Sequence, residues 1–205
     1  MAGKIIAVIG AQASGKSTLV RQLAQGVPHA QGFYEGEQFP AYVTHAFEHE
    51  AVRIRAFLYF HTLWLRQYAA AQQLKAQGRV ALLDAFWLTN LFYLDALKNT
   101  HERQLIDDMV HATAATLSPP NGVIYLDVSD ALMAQRVKAR AAGGARDWEL
   151  AQGWLAEAQA VRQRHLALLA NPQAMAKLLP QVPVLAVPAQ APDLQQQAMA
   201  FIQEV

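Results

Sequence analysis

Cysteine is absent from the 205 residues, which removes disulfides, thiolate metal sites and thiol nucleophiles from consideration. That absence suits a reducing compartment, and a cytoplasmic protein is the expectation. Charge of one sign is also scarce: the formal net charge is +1 and the pI about 8.1. No global field therefore points to a nucleic-acid polymer or an anionic membrane as partner. No apolar run reaches the ~18 uninterrupted residues of a membrane span, and the apolar part of MAGKIIAVIG is too short for a signal peptide. Internal repeats are lacking, and the alanine- and glutamine-rich YAAAQQLKAQG has the composition of a helix. What remains is a chain that is 53% hydrophobic. Its length allows it to bury about 70% of its unfolded surface, so one domain over residues 1–205 is expected.

Apolar runs of strand length alternate with longer helical patterns. KIIAVIG (4–10), RVALLD (79–84), GVIYLDV (122–128) and VPVLAV (182–187) read as buried strands, with a fifth in QGFYEG (31–36). Helices are predicted from Ser17 to Gln25, from Glu48 to Gln77, as a pair across Asn90 to Leu117, from Ala131 to Ala141, from Trp148 to Ala170 and from Leu194 to Glu204. Gly78 suits the position after a helix, and SPPNG (118–122) is a break. Such alternation predicts an α/β fold with a five-stranded parallel sheet between two helical layers. Ligands of such sheets bind outside the carboxyl ends of the strands, where Gly10, Glu35, Asp84 and Asp127 fall.

The stretch GAQASGKST (10–18) satisfies G-x-x-x-x-G-K-[S/T] with Gly10, Gly15, Lys16 and Ser17. The glycines let backbone N–H groups curl round a β-phosphate, and the next helix adds its positive end. Lys16 would reach the β- and γ-phosphates and Ser17 would ligate Mg²⁺, with Ser14 and Thr18 completing the cradle for ATP. Chance supplies the bare pattern in on the order of one in a hundred chains of this length. Its place between a buried strand and a helix makes it more specific still. The loop alone leaves open whether the γ-phosphoryl group goes to water or to a second substrate.

Two further segments bear on that. RVKARAAGGARDWE (136–149) carries Arg136, Arg140 and Arg146, whose guanidinium forks suit a lid that closes on a transferring phosphoryl group. A solvated basic helix end would look the same. FYEGEQFP (33–40) offers Glu35 as a base for a hydroxyl proton, with Glu37 as a competitor. His45 and His49 have the i, i+4 spacing of a metal pair but no third ligand at a suitable distance in sequence.

Taken together these segments resemble the deoxynucleoside kinases, of the thymidylate-kinase-like branch of P-loop kinases, over most of the chain. The resemblance implies a three-layer fold with strand order 2-3-1-4-5 and an arginine-bearing lid over about 136–149. It implies ATP-dependent, Mg²⁺-assisted phosphorylation of a nucleoside-like acceptor at its 5′-hydroxyl, in a homodimer built on long helices. It assigns the base to Glu35, reading of the acceptor to Phe60 and His61 within YFHTLWLRQY, and a role beside the sugar to Asn90. Asp84 in LLDAFW would hold Mg²⁺ indirectly or anchor a water, and Glu149 ends the lid motif.

The chain departs from the family pattern at three positions. Gly36 replaces a proline, His61 replaces a base-reading glutamine, and Ala85 replaces an arginine that positions the hydroxyl. His61 also reads as a buried helix residue and Asn90 as a helix cap, and Arg53, Arg55 and Arg66 are open as substitutes for the lost charge. Poor turnover of the standard deoxynucleosides is therefore expected, and a modified or different hydroxylated acceptor preferred. A nucleoside monophosphate kinase and a non-catalytic nucleotide sensor remain as alternatives.

Overall fold

A computed structural model describes residues 2–36, 38–142 and 153–205. The five strands are β1 (Lys4–Ile9), β2 (Ala30–Phe33), β3 (Val80–Asp84), β4 (Gly122–Asp127) and β5 (Val184–Pro188). They form one sheet in the order β2-β3-β1-β4-β5, every pairing parallel. β1 is central because KIIAVI is apolar without alternation, and from Ile5 to Ile9 no residue is more than 2% exposed. A strand covered on both faces needs such a run. Leu82 and Ile124, each at 0% exposure, continue that core into the neighbouring strands.

The helices are α1 (Lys16–Gly26), α2 (Ala41–Glu48), α3 (Ile54–Ala76), α4 (Thr100–Thr116), α5 (Asp130–Ala142), α6 (Trp154–Leu169), α7 (Pro172–Leu178) and α8 (Leu194–Glu204). After α3, Gly78 takes φ +75°, the left-handed turn its position predicted. Asn99 caps α4 by accepting hydrogen bonds from the backbone N–H groups of His101 and Glu102.

The helix expected from Glu48 to Gln77 begins at Ile54 instead, and α2 stands before it as a helix that was not expected. α2 ends before His49, whose backbone is extended, and a 3₁₀ turn at Glu50–Val52 leads into α3. The break lets Val43 and Ala46 fold back against Ala56, with Phe39, Phe47 and Phe60 around them. The first helix expected from Asn90 is instead a 3₁₀ segment, Trp87–Ala96, with Trp87, Leu88, Thr89, Asn90 and Phe92 buried. β2 is shorter than QGFYEG and ends two residues before Glu35, and β5 starts two residues later than predicted. The helix expected from Trp148 is described from Trp154. α7 follows it after an Asn171 cap and Pro172, a helix outside the expected set.

Candidate active site

The phosphate loop joins β1 to α1. A Cβ at Gly10 would stand 2.6 Å from the Leu126 carbonyl oxygen of the adjacent strand, so the loop leaves β1 where only glycine fits. Gly15 takes φ +101° at the start of α1, and no side chain caps the helix there. Its first N–H groups are thus left to an anion. Lys16 donates from Nζ to the carbonyl oxygens of Gly10 and Ala11, at 3.0 and 3.1 Å. Arg136 of α5 donates to the carbonyl oxygens of Ala13 and Ser14, at 3.0 and 2.8 Å, which ties α5 to the loop. Ser14, Gly15, Lys16, Ser17, Thr18, Arg136 and Arg140 all line one cleft of about 1010 Å³. Its far wall includes Ala189, Pro192 and Gln195. Arg146, Glu149 and Glu37 lie outside the described residues.

Asp84 closes the floor of this cleft at the end of β3. It is 3% exposed, and its Oδ2 accepts a short hydrogen bond from Ser17 Oγ. Its Oδ1 is buried without a partner among the described residues. A carboxylate oxygen so placed is costly unless a cation joins it. Ser17 and Asp84 therefore fit Mg²⁺, a hard ion that uses one or two protein oxygens and takes the rest from water and phosphate. No other candidate centre emerges: among the described residues no three His, Asp or Glu side chains are grouped to hold a metal. The His45 and His49 rings, 4.2 Å apart, remain a pair.

A second cavity, of about 100 Å³, opens beside the cleft. Its walls are aromatic: Phe39, Phe47, Phe57, Phe60, Trp64, Tyr93 and Trp154. Phe60 is the hub, with ring centroids 5.4 Å from Phe39, 6.0 Å from Phe47 and 5.5 Å from Trp64. The polar lining is Gln12, Glu35, Arg53, Thr89, Asn90 and Glu157. Gln12, Glu35, Thr89 and Tyr93 line the cleft as well, so they form the junction between the two spaces. The β2 exit that presents Glu35 is held by Gln67, which donates to the Tyr34 carbonyl oxygen at 2.6 Å. Gly36 follows at φ +89°, a turn the proline of the family pattern could not make.

Arg53 donates to Glu157 across this cavity at 3.1 Å. Burial pushes the Glu157 carboxyl up from its ordinary range, and the adjacent guanidinium works against that shift. Arg55 and Arg66, the other candidates for the charge missing at Ala85, are exposed and line neither space. Ala85 itself is 1% exposed and adopts φ +66°, a strained conformation for a residue with a Cβ.

His61 is not brought to the cavity wall. It is 3% exposed, with Nε2 3.2 Å from Thr113 Oγ1 and Nδ1 3.5 Å from Asn90 Nδ2. Thr113 spends its proton on the Met109 carbonyl oxygen at 2.8 Å, so its oxygen accepts from His61 Nε2–H, and Nδ1 accepts from Asn90. Burial lowers the His61 pKa and keeps the ring neutral. His61 thus orients Asn90, which does line the cavity and also donates to the Phe57 carbonyl oxygen at 3.3 Å. Asn90 is not the cap of its helical segment, which begins after Phe86.

Sequence reasoning had not singled out Gln12, Thr89, Trp154 or Glu157. Trp154 and Glu157 sit one turn apart on α6, which a helical-face reading of WLAEA would have paired. Nothing in the sequence marks Gln12 apart from its place inside the phosphate-loop motif.

A family model described as an AAA domain matches residues 5–174. The chain belongs to the AAA-domain family. No curated protein matches it. Among solved structures this AAA-domain chain is similar to deoxyadenosine kinase from M. mycoides in three ligand states. The form with products dCMP and a flexible dCDP has a TM-score of 0.78 at 18% identity. The dATP-bound form has 0.76 at 18%, and the dCTP-bound form 0.71 at 17%. Each comparison covers 98% of this chain and 100% of the other. At that identity the likeness is one of fold: a divergent P-loop kinase fold of the deoxynucleoside-kinase type. The observed strand order is the one that the resemblance implied.

Proposed function

We propose that this AAA-domain chain transfers the γ-phosphoryl group of ATP to a hydroxyl of a nucleoside or nucleoside-like small molecule, the 5′-hydroxyl being the expected acceptor. One observation carries the reading: a phosphate-loop cleft and an aromatic-walled cavity meet at a junction where Glu35 stands. A hydrolase needs no second cavity. A kinase needs one that holds a flat acceptor and excludes water. The volume of about 100 Å³ compares with the ~150 Å³ of an apolar cavity that holds benzene, which favours a one-ring base. Trp64 Nε1 and Arg53 Nε are buried in that wall without partners among the described residues, two donors that suit the acceptor edge of a heterocycle.

The residues divide the work as follows. Glu35 accepts the hydroxyl proton as the acceptor oxygen forms its bond to the γ-phosphorus. The bond from that phosphorus to the β,γ-bridging oxygen breaks, and ADP leaves with the bridging oxygen. Lys16 exchanges its two loop carbonyls for phosphate oxygens. Arg136, Arg140 and, by the lid motif, Arg146 offset charge on the transferring group. Ser17 and Asp84 would hold Mg²⁺, which would supply charge neutralisation to the triphosphate.

The Arg53–Glu157 pair argues against an acceptor that is already phosphorylated, because the guanidinium in the cavity is neutralised by a carboxylate a phosphate would repel. The test is a kinase assay of ATP against nucleosides with one- and two-ring bases and their monophosphates. Turnover confined to monophosphates would overturn the acceptor assignment. Nucleotide binding without any turnover would leave a sensor.

A further inference from the structure

We propose that Gln12 and Thr89 form a sugar-reading subsite that makes the acceptor a ribonucleoside, with vicinal 2′- and 3′-hydroxyls, in preference to a 2′-deoxynucleoside. The proposal rests on the kinase reading above and deepens it. Gln12 Nε2 and Oε1 are both buried, and neither has a hydrogen-bond partner among the described residues. Thr89 is 5% exposed, and its Oγ1 is likewise buried and without a partner there. Native folds leave few such groups, and each is expensive until a ligand or water meets it. Here an amide donor, an amide acceptor and a hydroxyl are all unmet at one place. Both side chains line the cleft and the cavity, so that place is the junction.

The geometry of a nucleoside decides which of its atoms come there. With the base between the aromatic walls and the 5′-oxygen in the cleft, the sugar bridges the two spaces. Its C2′–C3′ edge then falls to the junction walls. A vicinal diol complements what those walls offer, since each hydroxyl can donate once and accept, while an amide donates and accepts in one plane. A 2′-deoxyribose supplies one hydroxyl and leaves part of the set unpaired. Sites built to hydrogen-bond a substrate hydroxyl discriminate strongly against the analogue that lacks it.

The experiment measures initial rates of the whole chain with ATP and Mg²⁺ on matched ribo- and 2′-deoxynucleosides of the same bases. The expected kcat/KM is at least tenfold higher for the ribo member of a pair. Gln12→Leu keeps the shape and removes both hydrogen-bonding groups, and the ratio should fall towards one. Because Gln12 belongs to a loop that also binds ATP, Thr89→Val, outside that loop, is the second variant, and it too should compress the ratio. A merely structural defect would lower both members equally and leave the ratio standing. An equal or deoxy-preferring wild type, or a ratio unchanged in both variants, overturns the subsite while the kinase reading survives. Turnover of neither sugar class overturns the kinase reading, and the subsite with it.

Discussion

Replacing His165 with phenylalanine should remove a large part of the acid sensitivity of this fold. His165 lies on α6 at 0% exposure, stacked 3.6 Å from Phe92 and 5.3 Å from Tyr125 between ring centroids. Nδ1 donates to the Val161 carbonyl oxygen at 2.8 Å, and Nε2 is buried with no partner among the described residues. Burial holds the ring neutral and pushes its pKa down to about 3, with nearby Lys16 adding to the shift. In the unfolded chain the same side chain titrates near 6.5. The unfolded state therefore takes up the extra proton first. Stability is full above about pH 6.5 and drains as pH falls towards the folded value.

Between about pH 7.5 and pH 5 the loss from this one group is RT ln(1 + 10^1.5), or about 2 kcal/mol. The figure barely changes for any folded pKa below about 4, because the ring is then still neutral at pH 5. Lowered values at His61 and Asp127 drain stability in the same direction, the latter through its hydrogen bond from Arg162. Comparing wild type with His165→Phe cancels them. Phenylalanine keeps the stack on Phe92 and drops both nitrogens. Urea unfolding at the two pH values is the assay. A wild type that loses no more stability than the variant over that interval, within ~0.5 kcal/mol, would refute the reasoning.

Lys16→Ala should abolish phosphoryl transfer while the thermal unfolding midpoint stays near wild type, and turnover close to wild type would remove the phosphate-loop assignment. Glu35→Gln should cut kcat by ~10²-fold or more while binding of a non-hydrolysable ATP analogue persists; normal turnover would move the base to Glu37 or remove it. Asp84→Asn should raise the Mg²⁺ concentration needed for half-maximal rate by on the order of tenfold, and an unchanged Mg²⁺ titration would take Asp84 out of the metal site.

The phosphate loop was legible because its chemistry is local. Gly10, Gly15, Lys16 and Ser17 act through one continuous stretch of backbone, so their spacing in the sequence is their geometry in space. The central strands were legible for a similar reason: IIAVI and GVIYL are apolar throughout, and only burial on both faces accommodates that. Strand order came from the resemblance to the deoxynucleoside kinases rather than from periodicity. Neither α2 nor the late start of α3 was legible, because both depend on Val43 and Ala46 packing back against Ala56, a contact no window of local propensity contains. The reassignment of His61 has the same origin. Its neighbours in the sequence place it on an aromatic helix face, but Thr113 and Asn90, from two other elements, turn it into a residue that positions a cavity residue rather than lining the cavity itself. The aromatic cavity is assembled from the phosphate loop, α2, α3, the 3₁₀ segment and α6. Gln12, Thr89 and Glu157 acquire their meaning only there, because an unmet hydrogen bond is a property of the space around a side chain and not of the residue that carries it.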